Sequence, residues 1–215
     1  MSQLNVFKSA CIALAALGLS ACASGVYTGP VEVTRFVASQ PASLGQGTIA
    51  LQFSADIKNE AALDAFRAAI GNELGALGYT VIDNAETAGQ IAMIETSRSP
   101  LAAATQSRGP VSVGVGGGTG SFGGGVGLGV GLNLGGGGQQ SPRVVSELRV
   151  AISANTDATI NQNLWEARAQ FPTSIDSPYA PVGINSQALA AALFQDFPGG
   201  NGETVSLKAA DLVEP

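Results

Sequence analysis

Between Lys58 and Leu77 apolar side chains return every three or four residues, at Leu63, Phe66, Ile70, Leu74 and Leu77. This spacing predicts an amphipathic helix with a single apolar stripe, and a stripe of that kind has to be buried against another element. Asp56 is placed to cap the helix, Glu60 and Asp64 complement the positive end of its dipole, and Gly78 is placed to end it.

The flanking sequence supplies what the helix needs. Val31 to Val37 and Thr48 to Ser54 are β-like, and in the second Ile49, Leu51 and Phe53 alternate with Ala50, Gln52 and Ser54. Tyr79 to Asp83 and Gln90 to Arg98 read as further strands. Val144, Leu148, Val150 and Ile152 share one strand face while Glu147, Arg149 and Ser153 take the other. Ile160 to Phe171 is the expected hairpin partner, with Trp165, Ala167 and Ala169 inward and Glu166 and Arg168 outward. A second helix is expected from about Asn185, its cap, to Phe197, with Leu189, Leu193 and Phe197 as its stripe and Pro198-Gly199-Gly200 as its stop. The expected fold class is α+β: an antiparallel sheet with two helices packed on one face, carrying a Gly-rich hairpin or loop insertion.

That insertion is expected at about residues 112–138. Between Gly114 and Gly138, 15 of 25 residues are glycine, while Val126, Leu128, Val130, Leu132 and Leu134 fall on every second position. An extended strip would have one aliphatic face and one bare face, but glycine is costly to order and a mobile loop fits the composition equally well.

The N-terminus reads as an export signal. Lys8 and the free amine give positive charge, and Ser9 to Leu19 form an apolar run too short to span a bilayer. The run ends in Leu19-Ser20-Ala21-Cys22, which is similar to the lipobox of bacterial lipoproteins: an aliphatic residue, two small residues and a cysteine whose sulfur accepts a diacylglycerol. The expected organisation is therefore a signal peptide over 1–21, a lipidated tether over 22–30 and a single domain over 31–215. Cys11 leaves with the leader and Cys22 is blocked, so the mature chain of about 190 residues has no disulfide and depends on its core alone. Two or three acyl chains anchor stably where one does not. Ala23 and Ser24 follow the cysteine in place of the aspartate that retains enteric lipoproteins on the inner membrane, which by analogy implies the periplasmic face of the outer membrane.

Composition excludes several chemistries. Only 12% of residues are charged, the formal net charge is −6, and no basic tract is present, so nucleic acid is not an expected partner. Histidine is absent, which removes the commonest general base and metal ligand and forbids a Ser-His-Asp arrangement. Lys58 and Lys208, the lysines left after cleavage, lie in settings without the desolvation a Ser-Lys dyad needs. Gly118-Thr119-Gly120-Ser121-Phe122-Gly123 matches a dinucleotide fingerprint by glycine content only, with no periodic helix after it. Asn155, Asp157, Thr159, Asn161, Asn163 and Glu166 have the spacing of a calcium loop, but Ile160 stands where glycine is required, and the polar face of a hairpin explains the spacing better. Glu95, Glu147 and Glu166 meet on one sheet as an acid/base pair would, or as partners of Arg149 and Arg168. Trp165 is expected in the core.

In order along the chain stand Leu77-Gly78-Tyr79, the Gly-rich insertion, the strand Leu148 to Ile152, Leu164-Trp165-Glu166-Ala167-Arg168-Ala169, and Phe194-Gln195-Asp196-Phe197-Pro198-Gly199. This series resembles the bacterial lipoproteins called domain of unknown function 4136, over most of Val31 to Phe197. The resemblance implies an envelope location and an α+β domain, with no activity or catalytic residue to carry over. The expected function is a non-enzymatic module that binds a protein or lipid partner at the outer membrane, touching the membrane through acyl chains on Cys22, with an envelope protein as a candidate partner of the folded part. The alternative is a carboxylate-dependent hydrolase or glycan-acting enzyme. No catalytic, cofactor-binding or metal residue is assigned; Cys22 is the one expected site, for lipidation.

Overall fold

The computed structural model describes residues 26–38, 44–54, 59–101, 141–155 and 163–215. The chain divides into two units, one of residues 1–101 with 141–215 and one of residues 102–140. All of the described residues belong to the first.

Seven strands form one sheet: β1 Val31–Val37, β2 Gly47–Phe53, β3 Tyr79–Ile82, β4 Gln90–Pro100, β5 Arg143–Ala154, β6 Asn163–Ser174 and β7 Thr204–Leu207. Their order across the sheet is β3-β2-β4-β5-β6-β1-β7. From β4 to β7 every pairing is antiparallel, but β2 runs parallel to both β3 and β4. The sheet is thus mixed, which corrects the antiparallel sheet expected from the sequence. The cause is helix α1, Glu60–Ala76, which lies between β2 and β3. A helical crossover returns the chain to the end of the sheet where it started, so the next strand must run parallel to the last. Residue periodicity reports which face a side chain takes and is silent about strand direction.

The remaining helices are α2, Val182–Phe194, and a single turn α3, Ala209–Leu212. Phe66, Ile70 and Leu74 of α1 and Leu189, Leu193 and Phe194 of α2 join one core cluster with Val33, Ile49, Ile94, Leu148, Ile152, Trp165 and Phe171 from the strands. Of the stripe read from the sequence, Phe66, Ile70 and Leu74 are buried and Leu77 packs against the core, while Leu63 is only half-buried. The ends of α1 differ in detail. The helix starts at Glu60, with Asn59 accepting a bond from the Ala62 N–H, rather than being capped by Asp56, which lies outside the described residues. Gly78 ends it at φ 104, a left-handed conformation, and a Cβ there would meet the Gly45 carbonyl at 2.8 Å.

Helix α2 begins earlier than expected, after Pro181, and stops at Phe194. Asn185 is therefore inside it and is no cap; its buried amide donates to the Tyr179 carbonyl instead. After the Pro198-Gly199-Gly200 stop the chain adds β7 along β1, placing Val205 and Leu207 against the core.

Candidate functional site

The sheet brings the three strand carboxylates together on the side opposite its buried residues. On β5 and β6 the register sets Arg149 directly opposite Arg168, with Glu95 of β4 opposite Arg149 and Gln170 of β6 opposite Glu147. Two guanidinium groups facing each other across a strand pair repel, so each needs an anion beside it. Arg149 lies 3.7 Å from both Glu95 and Glu166, and Arg168 donates to Glu147 at 2.7 Å. Glu147 also accepts from the Gln170 amide at 3.0 Å. Three carboxylates thus compensate two arginines in a ladder running across β4, β5 and β6.

None of these carboxylates is buried, and each is matched to a guanidinium. An acid catalyst is made in the opposite way, by enclosing a carboxyl where its charge is disfavoured. Beside the ladder the register lines up Met93, Ala151, Glu166 and Phe36 across four strands. Phe36 is 54% and Met93 42% exposed. The outer side therefore joins a charged band to a strip with exposed apolar groups.

The inner side contains a cation that sequence reasoning missed. Arg35 of β1 is only 5% exposed, and its guanidinium donates to the carbonyls of Ala192 at 2.8 Å and Leu193 at 3.2 Å. These are end carbonyls of α2, which have no partner within the helix. Burial lowers the Arg35 pKa, while Asp196 and Glu203 act to raise it. The signal was present in the alternation Val31, Val33, Arg35, Val37, which puts an arginine at an inward position. Gly199, at φ 77, lies against this side chain, and a Cβ there would come within 2.7 Å of it. Trp165, fully buried as expected, stacks on Phe194 at 5.4 Å and donates its indole N–H to the Pro198 carbonyl. Arg35 and Trp165 together fix the turn that follows α2.

The spacing that suggested a calcium loop has other uses where it is described. Asn155 donates to the carbonyls of Ala85 and Ala88, and Asn163 donates to Glu166. Asp157, Thr159 and Asn161 lie outside the described residues, as do Cys22, Lys58 and the glycine strip from Gly114 to Gly138. Among the described residues no three acidic or cysteine side chains are grouped to hold a metal, and no helix is long and apolar enough to cross a membrane. Lys208 is exposed at the start of α3. Residues 26–30, expected within the tether, are bonded to the end of β6: the Tyr27 N–H to the Ser174 hydroxyl, the Ser174 N–H to the Tyr27 carbonyl, and the Gly29 N–H to the Pro172 carbonyl.

No protein-family model matches this sequence, and no curated protein does. Among solved structures the chain is similar to a PDZ domain protein from Parabacteroides distasonis, at 16% identity and a TM-score of 0.49, over 90% of this chain and 41% of that one. It therefore spans well under half the length of that protein. It is also similar to PelC from Paraburkholderia phytofirmans, solved as a dodecamer, at 9% identity and a TM-score of 0.39, over 76% of this chain and 93% of that one.

Proposed function

We propose that this chain is a lipoprotein of the domain of unknown function 4136 family, held by acyl chains on Cys22 at the periplasmic face of the outer membrane. Its folded part, with two helices on one face of the sheet, is a non-enzymatic module that binds a protein of the envelope. The lipobox-like Leu19-Ser20-Ala21-Cys22 supports the anchor. The observation that carries the binding role is the outer side of the sheet, where Glu95, Glu147 and Glu166 serve as ion-pair partners beside the exposed Phe36 and Met93. Mixed charged and apolar surface of this kind suits a protein partner, and the same pairing takes the carboxylates away from acid/base work.

Two measurements test this reading. A photoreactive residue at position 36 or 93 in the full-length protein should crosslink in vivo to one envelope protein, identified by mass spectrometry. Soluble protein starting at Ala23 should leave peptidoglycan and ester substrates unchanged. Turnover that disappears in Glu147→Gln or Glu166→Gln would overturn the binding reading in favour of a carboxylate-dependent hydrolase.

A further inference from the structure

Among the described residues seven large apolar side chains are exposed, and four of them gather at one end of the sheet. The Leu101 N–H bonds to the Arg143 carbonyl, Arg143 is the register partner of Ser174, and Ser174 exchanges bonds with Tyr27. The Ile175 N–H bonds to the Pro142 carbonyl just beside them. Leu101, Ile175 and Val26 therefore sit at the ends of neighbouring strands, exposed by 44%, 51% and 57%. Val182 joins them from the first turn of α2, which follows Ile175 by one short loop. That loop is held to the same end by the Thr28 to Ser177 hydroxyl contact at 2.6 Å. Arg143 lies over the Tyr27 ring at 4.2 Å, placing a cation and an aromatic among the apolar groups. The other three exposed apolar side chains, Phe36, Val81 and Met93, lie elsewhere on the sheet.

We propose that this end of the domain, with Val26, Leu101, Ile175 and Val182 as its contact points, rests on the lipid surface. The proposal builds on the Cys22 anchor. The chain enters the domain at this end, and three residues lie between Cys22 and Val26. The four steps from Cys22 to Val26 reach at most about 14 Å. An acylated cysteine sits at the hydrocarbon boundary, beneath a headgroup layer of roughly 5–8 Å. Less than about 10 Å then remains between the headgroup surface and Val26, so this end cannot stand clear of the bilayer. Apolar side chains around an arginine and a tyrosine match an interface where apolar and charged groups lie at one level. A protein partner would have to fit in the same narrow gap.

The test uses full-length lipidated protein in vesicles of phosphatidylethanolamine and phosphatidylglycerol. Single cysteines replace Ile175, Val182 or, for comparison, Phe36 and Val81, and each carries a nitroxide. All four positions are exposed, so the labels leave the core intact. Flotation with the vesicles reports the anchor, and collision with oxygen against a water-soluble nickel chelate reports depth. The expected result is flotation of all four proteins, with the oxygen-to-nickel ratio at 175 and 182 several-fold above that at 36 and 81. Flotation with all four labels equally aqueous overturns the lipid contact and leaves the anchor standing. Labels at 175 and 182 immobilised without access to oxygen mark a protein contact and also overturn it. Protein that fails to float overturns both the anchor and the contact.

Discussion

Arg35 and Arg168 lie on adjacent strands, one position apart in register, and point to opposite sides of the same sheet. Arg35 is buried and spends its donors on helix-end carbonyls, whereas the Arg168 side chain is about 43% exposed and holds a carboxylate. The difference shows how the two sides are stabilised. On the inner side a charge is out of water, and its removal strands two carbonyls for which the described residues offer no other hydrogen-bond donor. On the outer side water can replace either member of the pair, and the interaction contributes little. The inner side is thus committed to the fold, and the outer side contributes little to it.

The largest effects of substitution are expected on the inner side. Trp165→Ala removes a fully buried ring that stacks on Phe194 and bonds Pro198, and should cost about 3–5 kcal/mol in chemical denaturation. Arg35→Met should cost about 2–3 kcal/mol, because the Ala192 and Leu193 carbonyls lose a charged donor. Arg35→Lys should recover only part of this, since an ammonium lacks the planar fork that reaches both carbonyls. If Arg35→Met were as mild as a surface change, the inner cation would not be structural.

Changes on the outer side should be smaller. Arg168→Ala should cost less than about 1 kcal/mol, and its effect should shrink as salt is added. A larger, salt-independent loss would mean that the ladder belongs to the fold. The smallest effect is expected at Glu73 of α1, where burial pushes the carboxyl above the usual range. A carboxyl with a raised folded pKa imposes no penalty at acidic pH, where it is neutral in both states. The penalty grows as pH rises through the ordinary carboxylate range and levels off above the raised folded value. Glu73→Gln should therefore match the parent in acid and exceed it slightly at neutral pH, as read from urea midpoints across pH.

Much of the inner side was legible in the sequence because it is written in periodicity. The inward set Trp165, Ala167, Ala169 and the outward pair Glu166, Arg168 follow from alternation alone. The helix stripe from Phe66 to Leu74 follows from a spacing of three and four. What alternation cannot encode is direction and partner, so the parallel pairing of β2 with β3 and β4 was missed. Asn185 was misread because a buried asparagine and a capping asparagine look alike until the helix start is known. The short β7 was missed because four residues give too little pattern to separate a strand from a polar tail. The pairing of the strand carboxylates with Arg149 and Arg168 was legible in the sequence. Which carboxylate meets which arginine depended on register, which places Arg149 and Arg168 face to face.

We propose that the domain works while held to a membrane through Cys22, and the mass of the mature protein decides between this and a free chain. Intact-mass and peptide analysis of protein purified from membranes should find Cys22 as the first residue, carrying a diacylglycerol on sulfur, and Cys22→Ser should accumulate as the uncleaved precursor. A mature chain that begins elsewhere without lipid, or a Cys22→Ser protein that is cleaved and released, would contradict the account.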